Sequence, residues 1–134
     1  NTLGGDEALF KHSNAGRILV FTLGGSKVPL PGKTAEVAPF SIPDGYPTSA
    51  ELIAQGKPLY LIQCGSCHGL HGSTPMLPDL RRMTPEKHKL FQEIVRGGIL
   101  EPLGMSSFAK DLTKQEVDAI HAYIISEARV AAAK

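Results

Sequence analysis

Two cysteines and a histidine lie close together near the middle of the 134-residue sequence, and their side chains are the best suited to chemistry. Cys64 and Cys67 are the only cysteines, and His68 follows the second one directly. The spacing C-x-x-C-H is the attachment signal of a c-type haem. Two thiols at this spacing can add to the porphyrin vinyl groups as thioethers, and the histidine can bind the iron. We therefore predict one covalent haem, with His68 as an axial ligand.

Other interpretations of the same residues stay open at this point. Cys64, Cys67, His68 and His71 are four possible zinc ligands, although zinc sites usually draw a second ligand pair from a more distant segment. A thioredoxin-like redox pair would need a flanking βαβ pattern, which the sequence does not show. A simple disulfide is a further alternative. A second axial ligand, with helices that enclose a ring, would decide for haem.

The three methionines supply candidates for the second axial ligand, because histidine–methionine ligation occurs in cytochromes c. Met105 lies in a glycine-flanked loop between two predicted helices, far enough from His68 for the chain to reach the opposite ring face. Four other side chains are less suitable as the second ligand. Met76 lies too near His68, and Met83 lies close to a helix start. His88 and His121 lie inside predicted helices. The two histidines among them can equally be surface or hydrogen-bonded residues. We predict Met105 as the second ligand.

Composition is typical of a soluble protein of one domain, with 42% hydrophobic and 20% charged residues. The net charge of +1 gives no argument for a nucleic-acid partner, and no apolar run approaches the ~20 residues of a membrane helix. The chain starts at Asn1 and shows no signal peptide, which indicates a mature or excised product. Because covalent haem attachment implies an oxidising compartment, we expect a periplasmic location.

The first 47 residues differ in character from the rest. Residues 16–25 are a short apolar, β-branched run bounded by glycines, which predicts a buried strand. A lone strand leaves backbone groups unpaired and requires a partner. Five of the ten prolines lie in residues 28–47, which favours an extended linker. We predict an extended arm and Pro-rich linker over 1–47 and a helical domain over 48–134.

The first predicted helix leads directly into the cysteine motif. Thr48 and Glu51 have the spacing of a capping box. Pro58 lies inside the pattern and predicts either a bend or a fresh helix start near residues 56–58, since an interior proline costs about 3 kcal/mol or kinks the helix. The helix is expected to end at the turn that begins with Cys64.

Two further helices follow. Thr84 precedes Pro85 at the favoured first helical position, and the glycine pair that begins at Gly97 should end that helix. Thr113 and Glu116 form a second capping box, and an apolar stripe with helical spacing follows them. The sequence therefore predicts an all-α fold around the haem.

Residues 48–130 resemble a class I cytochrome c. The matching motifs are Gly56-x-x-x-Tyr60 before the attachment site, Pro78-Asp79-Leu80, and Gly104-Met105-Ser106-Ser107-Phe108, where the family usually has proline at Ser106. The resemblance implies that Pro78 accepts a hydrogen bond from His68 and that Leu80 packs on the ring. It also implies that Gly56 and Tyr60 pack near three residues of the last helix: Ile120, Tyr123 and Ile124. Phe108 belongs to the methionine loop.

A narrower resemblance covers nearly the whole chain. The run Ile94-Val95-Arg96-Gly97-Gly98, the Met105 loop and the motif Leu112-Thr113-x-x-Glu116 are similar to the C-terminal haem domain of quinohaemoprotein alcohol dehydrogenases. In that family a β-propeller containing PQQ is joined to a cytochrome c domain by a proline-rich linker. Residues 1–27 would then be a propeller remnant and residues 28–47 the linker.

The resemblance implies an electron-transfer domain that is not an enzyme by itself. With two axial ligands the iron has no open site for a substrate, whereas a haem enzyme would need a labile Met105. Electrons would arrive from a PQQ dehydrogenase domain and leave to a small redox protein or a quinone. A free-standing periplasmic monohaem cytochrome c is the alternative. Three arginines are candidate partners of the haem propionates or ordinary solvated side chains: Arg81, Arg82 and Arg96.

Overall fold

A computed structural model describes residues 23–25, 38–74 and 77–134. It divides the chain into two compact units, Asn1–Ala38 and Pro39–Lys134. Most of the predicted strand lies outside the described residues. At its end Leu23 and Gly24 form a turn, and Leu23 is fully exposed. Whether the first unit is a propeller remnant therefore stays a prediction.

The second unit is helical, and no β-strand occurs among its described residues. Its helices are α1 (Ala50–Gln63), α2 (Gly65–His68), α3 (Pro85–Lys89), α4 (Phe91–Val95) and α5 (Lys114–Ala132). Short 3-10 helices lie at Leu80–Arg82 and Glu101–Leu103. No helix in the described ranges combines the length and apolarity that a bilayer crossing requires.

Helix α1 begins one residue later than its sequence pattern predicts. Ser49 is the N-cap, and its hydroxyl accepts a hydrogen bond from the Leu52 N–H at 3.2 Å. The capping box predicted at Thr48 is wrong, because the Thr48 hydroxyl instead accepts a hydrogen bond from the Arg129 guanidinium at 2.8 Å. Pro58 lies inside a continuous helix, so the predicted fresh start near residues 56–58 is wrong. Pro58 has no N–H to donate to the carbonyl four residues earlier in the helix. Because this part of the helix is exposed, water can donate to that carbonyl instead.

Helices α1 and α5 cross in close contact, as the cytochrome resemblance implies. A Cβ atom on Gly56 would collide with the backbone carbonyl of Ala119, so only glycine allows this approach. Tyr60 is fully buried, and its ring centroid lies 5.1 Å from that of Tyr123. The α5 capping box is confirmed: the Thr113 hydroxyl accepts from the Glu116 N–H, and the Glu116 carboxylate accepts from the Thr113 N–H.

The middle helix begins as predicted but is interrupted. Thr84 caps α3 with Pro85 in its first turn. At Leu90 the helix breaks, and α4 continues to Val95, whereas the pattern predicted one helix up to the glycine pair. Leucine has no intrinsic tendency to break a helix. The break therefore comes from tertiary packing.

Residues 39–47, predicted as linker, pack on the helical unit. The Ser41 N–H donates to the Arg81 carbonyl at 2.8 Å, and the Arg82 guanidinium lies 3.7 Å from the Phe40 ring centroid. Tyr46 packs edge-on against a histidine of α5, with ring centroids 4.8 Å apart. The structure thus divides the chain between residues 38 and 39, nine residues before the predicted boundary. The aromatic side chains explain the difference, because each gains contact area by packing.

Candidate haem-binding site

The cysteine motif forms the junction between α1 and α2. The Cys64 N–H donates to the Tyr60 carbonyl at 2.8 Å, and the His68 N–H donates to the Cys64 carbonyl at 2.8 Å. Gly69 ends the turn with a φ of 74°, a conformation that favours glycine. Residues three and four apart lie on one face of a helix. The two thiols and the imidazole therefore start from the same face, as attachment to one ring requires.

The state of the two thiols argues against a redox pair. Cys64 is half-buried, Cys67 is exposed, and no disulfide joins them. Burial raises the pKa of the Cys64 thiol to about 11, and the neighbouring Cys67 adds to the rise. Reactive redox cysteines have a lowered pKa. Cys64 is thus a desolvated neutral thiol.

The zinc interpretation does not agree with the side-chain geometry. Nowhere in residues 38–74 or 77–134 do three His, Cys, Asp or Glu side chains converge as metal ligands. The fourth ligand that zinc would need, His71, instead contacts Glu127, with Nδ1 and Oε2 2.9 Å apart. The set Cys64, Cys67 and His68 therefore fits covalent haem attachment better than a tetrahedral ion.

The environment of His68 suits an imidazole that binds a metal. Its side chain is half-buried, and burial lowers its pKa, which favours the neutral imidazole that binds iron. Its Nδ1 atom is buried and has no hydrogen-bond partner among the described residues. Pro78 is exposed, and the described structure contains no hydrogen bond between it and His68. That bond stays a prediction for the protein with haem bound.

Met105 lies in a short loop that backbone hydrogen bonds fix on both sides. Its N–H donates to the Leu100 carbonyl at 3.2 Å, and the Phe108 N–H donates to the Val95 carbonyl at 2.8 Å. Gly104 precedes it with a φ of 92°. Met105 is half-buried and packs against the hydrophobic core, as do three other predicted site residues: Cys64, Leu80 and Phe108.

The competing ligand candidates are otherwise engaged or lie outside the described residues. Met83 is 7% exposed and is part of the hydrophobic core. His88 Nδ1 lies 2.7 Å from His121 Nε2, and His88 Nε2 lies 3.1 Å from the Ser41 hydroxyl. Both histidines are buried, so the expectation that His121 could face solvent is wrong. Met76 lies outside the described residues.

The three candidate arginines all have partners within the protein. Arg81 makes two hydrogen bonds to the Asp79 carboxylate, at 2.9 and 2.8 Å, and Arg82 Nε lies 3.4 Å from it. Burial of Asp79 opposes ionisation, but the bonds from Arg81 outweigh it and hold the pKa of the carboxyl below its usual range. Arg96 Nε donates to the Leu112 carbonyl at 2.9 Å. The pair of Asp79 and Arg81 was not among the predicted site contacts, although a carboxylate two residues before an arginine is a visible signal.

Comparison with known proteins identifies the class. The sequence family described as cytochrome c oxidase, cbb3-type, subunit III matches residues 51–124. The chain belongs to this family. It is a cytochrome c domain, which implies covalently bound haem c and a role in electron transfer.

Its relatives include larger dehydrogenases. The quinohemoprotein alcohol dehydrogenase ADH-IIG of Pseudomonas putida is 40% identical over 116 residues, 84% of this chain and 15% of that protein. Lupanine 17-hydroxylase [cytochrome c] of a Pseudomonas species is 35% identical over 116 residues, 84% of this chain and 16% of that protein. The chain thus spans about 15% of their length.

A solved structure of ADHIIG from Pseudomonas putida HK5 superimposes with a TM-score of 0.66 at 37% identity, covering 79% of this chain and 15% of that one. The predicted all-α, cytochrome c-like fold is confirmed. The predicted resemblance to quinohemoprotein alcohol dehydrogenases is confirmed as well.

Proposed function

We propose that this chain is the electron-relay domain of a PQQ-dependent alcohol dehydrogenase. It would accept electrons from a dehydrogenase domain in the same polypeptide and pass them to a small redox protein or a quinone. The observation that carries the proposal is the match to the quinohemoprotein alcohol dehydrogenases over 84% of this chain. By itself the chain would not oxidise alcohols.

For the site, we propose that Cys64 and Cys67 form the two thioethers and that His68 and Met105 are the axial ligands. The shared helical face of the first three residues supports this assignment. The half-buried position of Met105 in a loop fixed at both sides supports the second ligand. When bound, the haem supplies a one-electron couple.

The surrounding side chains would tune that couple. We assign Tyr60, Leu80 and Phe108 to support of the haem pocket, because all three are buried or pack against the core beside the motif. An apolar surround excludes water and disfavours the more highly charged oxidised iron. Pro78 is proposed to accept the hydrogen bond from His68. The periplasm is the proposed location, since thioether formation needs reduced cysteines delivered on the oxidising side of the membrane.

A two-part experiment tests the proposal. Visible spectra and denatured mass of the purified chain should show one covalent haem per molecule, and a mass without added haem would overturn the site. The haem-loaded chain is then mixed with a PQQ-loaded dehydrogenase domain and an alcohol. Alcohol-dependent reduction of the haem is expected. If unrelated electron donors reduce the haem and the PQQ-loaded domain does not, the chain would instead be a free-standing cytochrome.

A further inference from the structure

Two tyrosine hydroxyls reach the backbone that directly follows His68. The Tyr60 hydroxyl, from α1, donates to the Gly69 carbonyl at 2.7 Å and lies 3.3 Å from the His68 carbonyl. The Tyr123 hydroxyl, from α5, donates to the Leu70 carbonyl at 3.0 Å. Three successive carbonyls are thus contacted from the two helices that form the core crossing.

The two tyrosines are rigidly held. Tyr60 is fully buried and Tyr123 is 2% exposed, and their ring centroids lie 5.1 Å apart. Burial raises the pKa of both phenols, that of Tyr123 to about 12. Both hydroxyls therefore remain protonated donors over the whole physiological pH range. Removing either donor leaves a part-buried carbonyl without that partner, which costs more than the loss of a fully exposed hydrogen bond.

A third contact, between two side chains, involves the next residue along the chain. Glu127 lies one helical turn after Tyr123 on α5, and its Oε2 is 2.9 Å from His71 Nδ1. The His71 side chain is 69% exposed, so water screens this pair and it contributes little. The two buried phenols are therefore the stronger anchors of residues 68–70.

We propose that the hydroxyls of Tyr60 and Tyr123 are positioning groups for His68, which fix the orientation of its imidazole and thereby set the reduction potential of the haem. The inference rests on the proposed assignment of His68 as an axial ligand. The helical turn fixes the backbone before His68, and the phenols fix the backbone after it. With the backbone held on both sides of His68, the direction in which its imidazole leaves the backbone is fixed.

The alternative is that only the aromatic rings matter, as packing in the helix crossing. Replacement of tyrosine by phenylalanine separates the two roles, because it keeps the ring and removes only the donor. The chain offers a matched control, since its third tyrosine, Tyr46, packs against His88 and His121 instead of the segment after His68.

The test compares Tyr60→Phe, Tyr123→Phe and Tyr46→Phe in the haem-loaded chain. Each of the first two variants should lower the midpoint potential, because a loosened segment admits water and favours oxidised iron. At a fixed applied potential, the ratio of oxidised to reduced protein should rise about three- to tenfold. This range corresponds to the net free energy of one hydrogen bond. Added imidazole should bind the oxidised iron more tightly by a similar factor. Tyr46→Phe should match the wild type in both measurements.

Wild-type potential and imidazole affinity in both Tyr60→Phe and Tyr123→Phe would overturn the inference. If one of them does not retain its fold by circular dichroism, the other decides. The proposed function fails separately: a wild-type chain that carries no covalent haem, or whose haem shows no reversible couple, would overturn it before any variant is compared.

Discussion

At the residue scale, the chemistry of the site depends on a helical turn of only five residues. Cys64 lies three positions before Cys67 and four before His68, so it is a helical neighbour of both. Burial keeps the Cys64 thiol neutral and lowers the pKa of His68. Both effects come from the helices packed around the turn. The motif therefore provides the reacting groups, and the fold controls their protonation.

Met105→Ala tests the second ligand. The variant should retain covalent haem but change its spin state and lose the weak long-wavelength band that reports an iron–thioether bond. Visible spectroscopy of the oxidised protein measures this. Met83→Ala is the matched control: it should keep the band and lose about 2–5 kcal/mol of stability, because Met83 is buried in the core. Loss of the band in Met83→Ala alone would contradict the assignment.

Arg96→Gln tests the proposed pairing with a haem propionate. Arg96 bonds to the Leu112 carbonyl, so its loss should destabilise the protein by about 1 kcal/mol in urea unfolding. If Arg96 also pairs with a propionate, the midpoint potential should fall, since a positive charge near the ring favours reduced iron. A destabilised variant with an unchanged potential would show that Arg96 serves only the backbone of Leu112.

At the scale of elements, two contacts organise the domain. Helices α1 and α5 meet at Gly56, where the backbones approach too closely for any side chain. On another part of α5, His121 is stacked with Phe91 at 4.2 Å and with His88 at 5.0 Å. His88 and Phe91 lie on either side of the break at Leu90. A shared partner on α5 thus accounts for the interruption of the middle helix.

Gly56→Ala should destabilise the protein by about 1–3 kcal/mol through overpacking, despite the better helix propensity of alanine. The added methyl group would force α1 away from the Ala119 carbonyl. Gly65→Ala is the control, since its Cβ would meet no atom closer than 3.7 Å. Urea midpoints compare the two. Equal midpoints would mean that the helices can separate at no cost.

The buried histidine pair predicts a loss of stability in mild acid. Burial, followed by the charge of His88, lowers the pKa of His121 from 6.5 to about 4. The folded state therefore binds fewer protons than the unfolded state in this window. The contribution of neutral His121 to stability should be fully present above pH 6.5. Between that pH and about pH 4 it should fall by about 1.4 kcal/mol per pH unit. Urea unfolding between pH 7.5 and 4.5, chosen to bracket most of the window, measures the slope.

His121→Phe should reduce that slope, because it removes the titrating group and keeps an aromatic ring beside Phe91. His71→Asn, a change at an exposed histidine, should leave it as in the wild type. An undiminished slope in His121→Phe would exclude the buried pair as its cause.

At the scale of the whole molecule, the helical unit begins at residue 39. The segment 39–47 is held by Phe40, Ser41 and Tyr46. This segment therefore belongs to the helical unit.

Two truncations test this boundary. A chain that starts at residue 39 should keep the unfolding midpoint of the full chain. A chain that starts at residue 48 should unfold at lower urea, because it loses the hydrogen bonds of Ser41 and the aromatic contacts. Thermal and urea midpoints measure both. Equal stability of the two would place the boundary at residue 47.

Features that depend on residues close together in the sequence could be predicted from it. The haem motif, the caps at Thr84 and Thr113 and the helical stripe of α5 all involve residues within one or two turns, where spacing alone fixes geometry. The predicted cap at Thr48 failed because Arg129, far along the chain, takes its hydroxyl.

Contacts between residues far apart in the sequence depend on how the helices pack. The phenol of Tyr123 reaches a carbonyl 53 positions earlier, and the imidazole of His121 meets that of His88 across 33 positions. No local periodicity encodes such pairs, since they depend on how the helices cross. For the same physical reason, the packing of residues 39–47 on the helices could not be predicted from proline content.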